Sequence, residues 1–139
     1  MSKVLIVYVT TTGNTEKMAQ AIEKGAKGAG ADVTCKMVGE ASAAELAGYD
    51  VIAFGSPAMG AEVLEEAEME PFFTDAAGSL KGKRVALFGS YDWGDGEWLR
   101  TWEERCKEAG AEVIGTLKAH LEPDEDALAE CESLGAKLQ

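Results

Sequence analysis

The chain is poor in histidine, cysteine and proline. His120 is the sole histidine, Cys35, Cys106 and Cys131 are the only cysteines, and there are 3 prolines among 139 residues. One imidazole excludes a multi-histidine metal centre and argues against a nucleophile paired with a histidine base. His120 is expected at the surface or at a strand end. The three thiols are widely spaced and form no Cys-x-x-Cys pair, so they support neither a disulfide framework nor a zinc site. They read as small buried hydrophobes or surface thiols. No apolar run approaches the roughly 20 residues that cross a membrane. Met1-Ser2-Lys3 leads into an apolar stretch without the layout of a signal peptide, and a cytoplasmic location is expected. Basic residues are also scarce: 13 Lys+Arg stand against 25 Asp+Glu, a formal net charge of −12. That balance disfavours nucleic acid and anionic membrane and favours basic protein surfaces, met through screened long-range attraction.

What is present is the apolar content of a globular protein, 46% of residues, in a length that suits one domain spanning 1–139 with a layered core. Apolar or alternating runs predict strands at 4–9, 33–38, 51–56, 84–90 and 112–117. Helix-period stretches lie at 15–29, 43–48, 65–77, 97–109 and 124–138. Gly28 and Gly30 end the first helix, and Asp124 after Pro123 caps the last. The first, third and fourth strands are nearly all apolar, as parallel strands covered on both faces should be. The expectation is an α/β fold: a doubly wound five-stranded parallel sheet, order 2-1-3-4-5, with helices on both faces. Ligands of such sheets sit beyond the strand carboxyl ends at the topological switch point, so the loops after strands 1, 3 and 4 should carry the chemistry.

The first of these loops, Thr10-Thr11-Thr12-Gly13-Asn14-Thr15, offers hydroxyls and helix N-terminal amides to a phosphate. It contains no Lys or Arg. A phosphate there is held by neutral donors, which points to a retained phosphorylated cofactor rather than to nucleotide hydrolysis. Neither Gly-x-x-x-x-Gly-Lys-Ser/Thr nor Gly-x-Gly-x-x-Gly occurs. The same residue types also suit a plain helix cap. The second loop, Ser56-Pro57-Ala58-Met59-Gly60-Ala61-Glu62, and the third, Ser90-Tyr91-Asp92-Trp93-Gly94-Asp95-Gly96, each set a large apolar side chain within a Gly-rich turn. A planar aromatic ligand would give both a surface, with Trp93 stacked on one side and Met59 packed on the other. The structural alternatives are a methionine folded back on the core and a tryptophan left exposed or touching a partner. Trp98 and Trp102, four apart on a helix, are assigned to packing against the sheet or its flank.

Several blocks, in order along the whole chain, resemble the short-chain flavodoxins of the clostridial type: Thr-Gly-Asn-Thr-Glu-Lys-Met at 12–18, Ala-Met-Gly-Ala-Glu-Val-Leu-Glu-Glu at 58–66, Val-Ala-Leu-Phe-Gly-Ser-Tyr-Asp-Trp-Gly-Asp-Gly at 85–96, and Glu-Pro-Asp-Glu at 122–125. The resemblance implies non-covalent FMN, its phosphate in the loop of Thr10, Thr11, Thr12, Gly13, Asn14 and Thr15. It implies that Met59 and Trp93 flank the ring system, that Glu62 accepts a hydrogen bond from the ring N3–H, and that backbone groups of 57–62 and 90–96 meet the ring's polar edge. It also implies that the peptide after Met59 turns over on reduction and presents the Gly60 carbonyl to N5. The chain departs from that pattern at Pro57, where serine is usual, at Ala61 for aspartate, at Asp92 for glycine, and at Thr11 for glycine.

The expected function is that of a low-potential one-electron carrier using the semiquinone/hydroquinone couple, not an enzyme, with no catalytic residue and no metal. Glu62, Glu65, Glu66, Glu68, Asp92, Asp95 and Glu97 surround the proposed ring site without a Lys or Arg in the three loops. Each charge about 8–10 Å from the ring opposes added negative charge by a few tenths of a kcal/mol. Expected partners are basic-surfaced reductases and acceptor enzymes, met transiently by a monomer. A flavin-dependent quinone or NAD(P)H reductase is the alternative on the same fold, but there is no insertion for a second substrate and no acid-base histidine near the loops. A phosphoryl-accepting receiver domain shares the topology but needs acidic residues after strands 1 and 3, where Thr/Gly and Ser-Pro stand.

Overall fold

The computed structural model describes residues 2–59, 65–92, 94 and 96–138. Five parallel strands form one sheet: β1 (Lys3–Tyr8), β2 (Asp32–Met37), β3 (Val51–Gly55), β4 (Arg84–Tyr91) and β5 (Glu112–His120), in the order β2-β1-β3-β4-β5. This is the order expected from the sequence. The register sets Val4 beside Val33 and Val51, and Val51 beside Arg84, with one irregularity between Val85 and Ala86 where β4 meets β5. β1 and β3 are apolar on both faces because helices cover both.

Alternation along the strands divides the core in two. Leu5, Val7, Ile52, Phe54, Val85 and Leu87 face α2 (Met69–Ala76) and α3 (Glu97–Glu108), where Phe72, Phe73, Trp98, Leu99 and Trp102 meet them. Val4, Ile6, Ala53, Ala86 and Phe88 face α1 (Asn14–Gly28) and α4 (Glu125–Ala136). On this second side the helices approach backbone to backbone. A Cβ on Gly25 would lie 2.0 Å from the Glu132 carbonyl oxygen, and one on Gly135 would lie 2.1 Å from that of Ile22.

Three elements differ from the sequence expectations in kind or by three or more residues at an end. The stretch expected as a helix at 43–48 is a 3-10 helix, Ala43–Gly48, with i to i+3 bonds at its ends from Glu45 N to Ser42 O (3.2 Å) and from Tyr49 N to Leu46 O (3.1 Å). The helix expected at 65–77 begins at Met69. Pro71 explains this: it has no N–H to give and its ring crowds the preceding turn, so it is tolerated only in the first turn of a helix. β5 extends three residues past Leu117, with Lys118, Ala119 and His120 pairing with Gly89, Ser90 and Tyr91. Asp124 caps α4 as expected, its side chain accepting from Ala127 N at 2.8 Å. Trp98 and Trp102 are buried against the sheet, as are Cys106 and Cys131, while Cys35 is half-buried on the edge strand β2.

Candidate functional site

β1, β3 and β4 end together at one edge, and a cleft of about 220 Å³ opens there. Thr11, Thr12 and Asn14 of the first loop form one end of it. Pro57, Ala58 and Met59 form its wall, joined side by side with Ser90, Tyr91 and Asp92 at the end of β4. Leu121 closes a further side. Larger hollows of about 350 and 370 Å³ run along the edge strand β5 beside α3 and α4. They are bordered by mixed-charge surface residues such as Arg100, Glu103, Glu130 and Lys137 and lie away from the switch point.

The other predicted site residues are placed differently. Thr10 turns its hydroxyl inward to accept from Gly13 N at 2.9 Å, and Gly13 adopts φ 91° ahead of α1, a left-handed conformation that glycine takes without a Cβ clash. The Thr15 hydroxyl is buried and 3.1 Å from that of Ser90, tying the first loop to the third. Ser56 lies beneath the wall, fully buried. Gly94 is exposed, and Gly96 precedes α3 at φ 94°. Gly60, Ala61, Glu62, Trp93 and Asp95 lie outside the described residues, so the ring contacts expected of them are not placed.

Among the described residues, the buried polar side chains are Thr15 (1% exposed), Ser56 (0%), Glu65 (8%) and Ser90 (5%). All four stand at the roots of these loops. Ala58 N donates to Ser90 O at 2.9 Å, and Trp98 Nε1 donates to Ser56 O at 3.2 Å, so the second loop is bound to both β4 and α3. At the end of β1, Tyr8 donates its hydroxyl to Glu16 in the first turn of α1 at 3.0 Å. Burial first, and then Glu16, pushes the Tyr8 phenol up to about 12.

One expectation about charge needs correction. Glu65 does not belong to an open acidic rim: its carboxylate is turned in and accepts from Ala67 N (2.9 Å), Glu68 N (2.7 Å) and Met69 N (2.9 Å) at the start of α2. Backbone donors at a helix N-terminus offset its charge. The third loop also has a cation beside it. Lys118 of β5 holds its Nζ 5.8 Å from the Tyr91 ring centroid, and a Cβ on Gly96 would lie 2.7 Å from that nitrogen. His120 is exposed at a strand end, as expected, yet its Nε2 is 2.8 Å from the Asp92 carbonyl oxygen.

Leu121 escaped the sequence reading. It lines the cleft at φ 59° and 47% exposed, held by a 2.7 Å bond from its N to Tyr91 O. A leucine is among the residues least suited to positive φ, so no local signal pointed to it. Glu65 did have a signal: an acid shortly before a helix whose proline dictates a start near residue 69.

A cleft with neutral hydroxyl and amide donors at a helix N-terminus and an apolar wall of Pro57, Ala58, Met59 and Tyr91 fits a phosphorylated aromatic cofactor. Among the described residues, no group of three or more His, Cys, Asp or Glu could hold a metal ion, and no helix is long and apolar enough to cross a membrane. Fold and cleft together define a doubly wound nucleotide-cofactor protein. The flavodoxin family profile matches residues 6–135. The flavodoxin of Megasphaera elsdenii is 51% identical over 130 residues, covering 94% of this chain and 93% of its own length. That of Clostridium beijerinckii is 48% identical over 134 residues, 96% of each. The solution structure of two-electron reduced M. elsdenii flavodoxin superposes with a TM-score of 0.89 at 49% identity, covering 96% of this chain and 98% of that one. The chain belongs to the flavodoxin family. It is an FMN-binding electron carrier rather than an enzyme.

Proposed function

We propose that the protein passes electrons singly and at low potential between reductases and acceptor enzymes. One observation carries this reading: the described lining of the cleft contains a carboxylate, Asp92, and no Lys or Arg, in a chain of net charge −12. FMN bound there supplies the redox centre, with Thr11, Thr12 and Asn14 in place to hold its phosphate and Met59 and Tyr91 in place to meet its ring. Electrons added to such a site meet negative charge without a lining cation. A charge about 8–10 Å away opposes an added electron by a few tenths of a kcal/mol, so Asp92 and the negative charge of the rest of the chain lower the second reduction potential.

The same charge would recruit partners with basic surfaces and repel nucleic acid and anionic membrane. We further propose that the protein acts as a monomer in the cytoplasm, where its free thiols would stay reduced. Stepwise reduction of the FMN-loaded protein in a spectroelectrochemical cell tests the carrier reading. A second potential well below that of free FMN is expected, and one equal to it would overturn the proposal. Reduction by a basic-surfaced reductase should slow as salt rises, and NAD(P)H without such a partner should be consumed hardly at all.

A further inference from the structure

The segment that supplies the cleft wall is fastened at its base by side chains, and the fastening is buried. Ser56 Oγ donates to Pro57 O at 3.0 Å and accepts from Glu65 N at 3.1 Å. One hydroxyl thus orients the first peptide of the wall and joins the two ends of the loop. Glu65 in turn holds with its carboxylate the amides of Ala67, Glu68 and Met69 that lead into α2, while its carbonyl accepts from Glu70 N at 2.9 Å. Ser56 cannot slide along the sheet. Its N donates to Phe88 O at 3.1 Å, Trp98 holds its carbonyl, and a Cβ on Gly89 would lie 1.9 Å from that carbonyl oxygen.

We propose that Ser56 and Glu65 form a clasp that presets the cleft wall at Pro57, Ala58 and Met59 for the flavin, with Glu65 a positioning residue that does not itself touch the ring. This rests on the reading of the cleft as an FMN site. The physical basis is preorganisation: joining the ends of a loop removes most of the conformations it would otherwise give up on binding. Charged hydrogen bonds to backbone amides make the strongest such joint available to a buried acid. Leaving those amides unmet is costly.

The rival account is that Glu65 acts only through its charge. The two separate because Ser56 has none. Glu65→Gln and Ser56→Ala should each weaken FMN binding about tenfold or more, read by quenching of flavin fluorescence. Each should also reduce the half-reduced fraction in a dithionite titration, and the double variant should fall no further than the worse single one. Glu65→Asp, which keeps the carboxylate, should recover part of the loss. In the apoprotein, amide exchange at Glu65, Ala67, Glu68 and Met69 should speed up in both single variants. If Glu65→Gln changed only the second potential and Ser56→Ala changed nothing, the charge account would hold and the clasp would be refuted. If both lowered the melting temperature while affinity and potentials stayed put, the role would be structural and the proposal overturned. Should Glu65→Gln fail to fold, Ser56→Ala decides alone. Failure of the unsubstituted protein to bind FMN would sink the functional reading instead, and apoprotein exchange would then judge the clasp.

Discussion

On one face of the sheet Phe54, Phe73 and Trp102 meet at centroid distances of 5.4 to 6.0 Å beneath α2 and α3, while on the other α1 and α4 cross with glycine against backbone. The first face is filled by bulk, the second by the removal of bulk. Bulk can be trimmed, leaving a cavity whose cost depends on how far the neighbours relax. A close backbone crossing has nothing flexible to yield, so the smallest addition forces the helices apart.

The largest effect should come from Trp102→Ala, a loss of about 3–5 kcal/mol in urea unfolding, with Trp102→Phe losing far less. Gly135→Ala should lose about 2–3 kcal/mol for one added methyl, as should Gly25→Ala. If either glycine variant matched the parent, the contrast between the faces would fail. A smaller effect separates the faces by pH. Arg105 donates to both carboxylate oxygens of Glu70 at 2.7 Å and lies over the Phe73 ring. The Arg105 hydrogen bonds, against the opposing effect of burial and with help from Thr74, hold the Glu70 carboxyl below the usual carboxylate range. A depressed carboxyl contributes stability above its ordinary pKa and loses it as pH falls through the lowered one. Both side chains are a third or more exposed, so the contribution is under about 1 kcal/mol. Acid titration of stability should show that loss below about pH 4.5, and Arg105→Leu should flatten it.

The smallest effect sharpens the comparison most. Cys106 lies on the aromatic side and Cys131 on the glycine side, and burial pushes both thiols up to about 12. Neither should react with a thiol reagent at pH 8 in the native protein, and both should once unfolded. In sub-denaturing urea their relative rates report which face opens first. Equal rates would mean that the two faces open as one unit.

Strand order and both core faces were legible because β1, β3 and β4 are continuous apolar runs and α3 carries Trp98 and Trp102 on one side. The first loop was legible in composition, although only Thr11, Thr12 and Asn14 of its six residues line the cleft. Other parts of the site were hidden for definite reasons. Lys118 and His120 reach the third loop only because β5 continues beside the end of β4, a pairing that local periodicity after Leu117 did not announce. Glu65 looked like one more surface acid until Pro71 fixed where α2 begins. Leu121 contradicts its own backbone preference, and such a residue is held in place by tertiary contacts rather than by local propensity.

The crossing of α1 and α4 reaches well beyond the spot where Gly25 and Gly135 touch. α1 starts beside the cleft at Asn14, and its closest contact with α4 lies nearer its other end, where Gly25 meets Glu132 and Ile22 meets Gly135. A methyl added at that contact would tilt α1 against α4, and a tilt about a point near one end of a helix displaces the other end most. Widening that contact by a single carbon would therefore be felt about two to three helical turns away, where Thr11, Thr12 and Asn14 line the cleft.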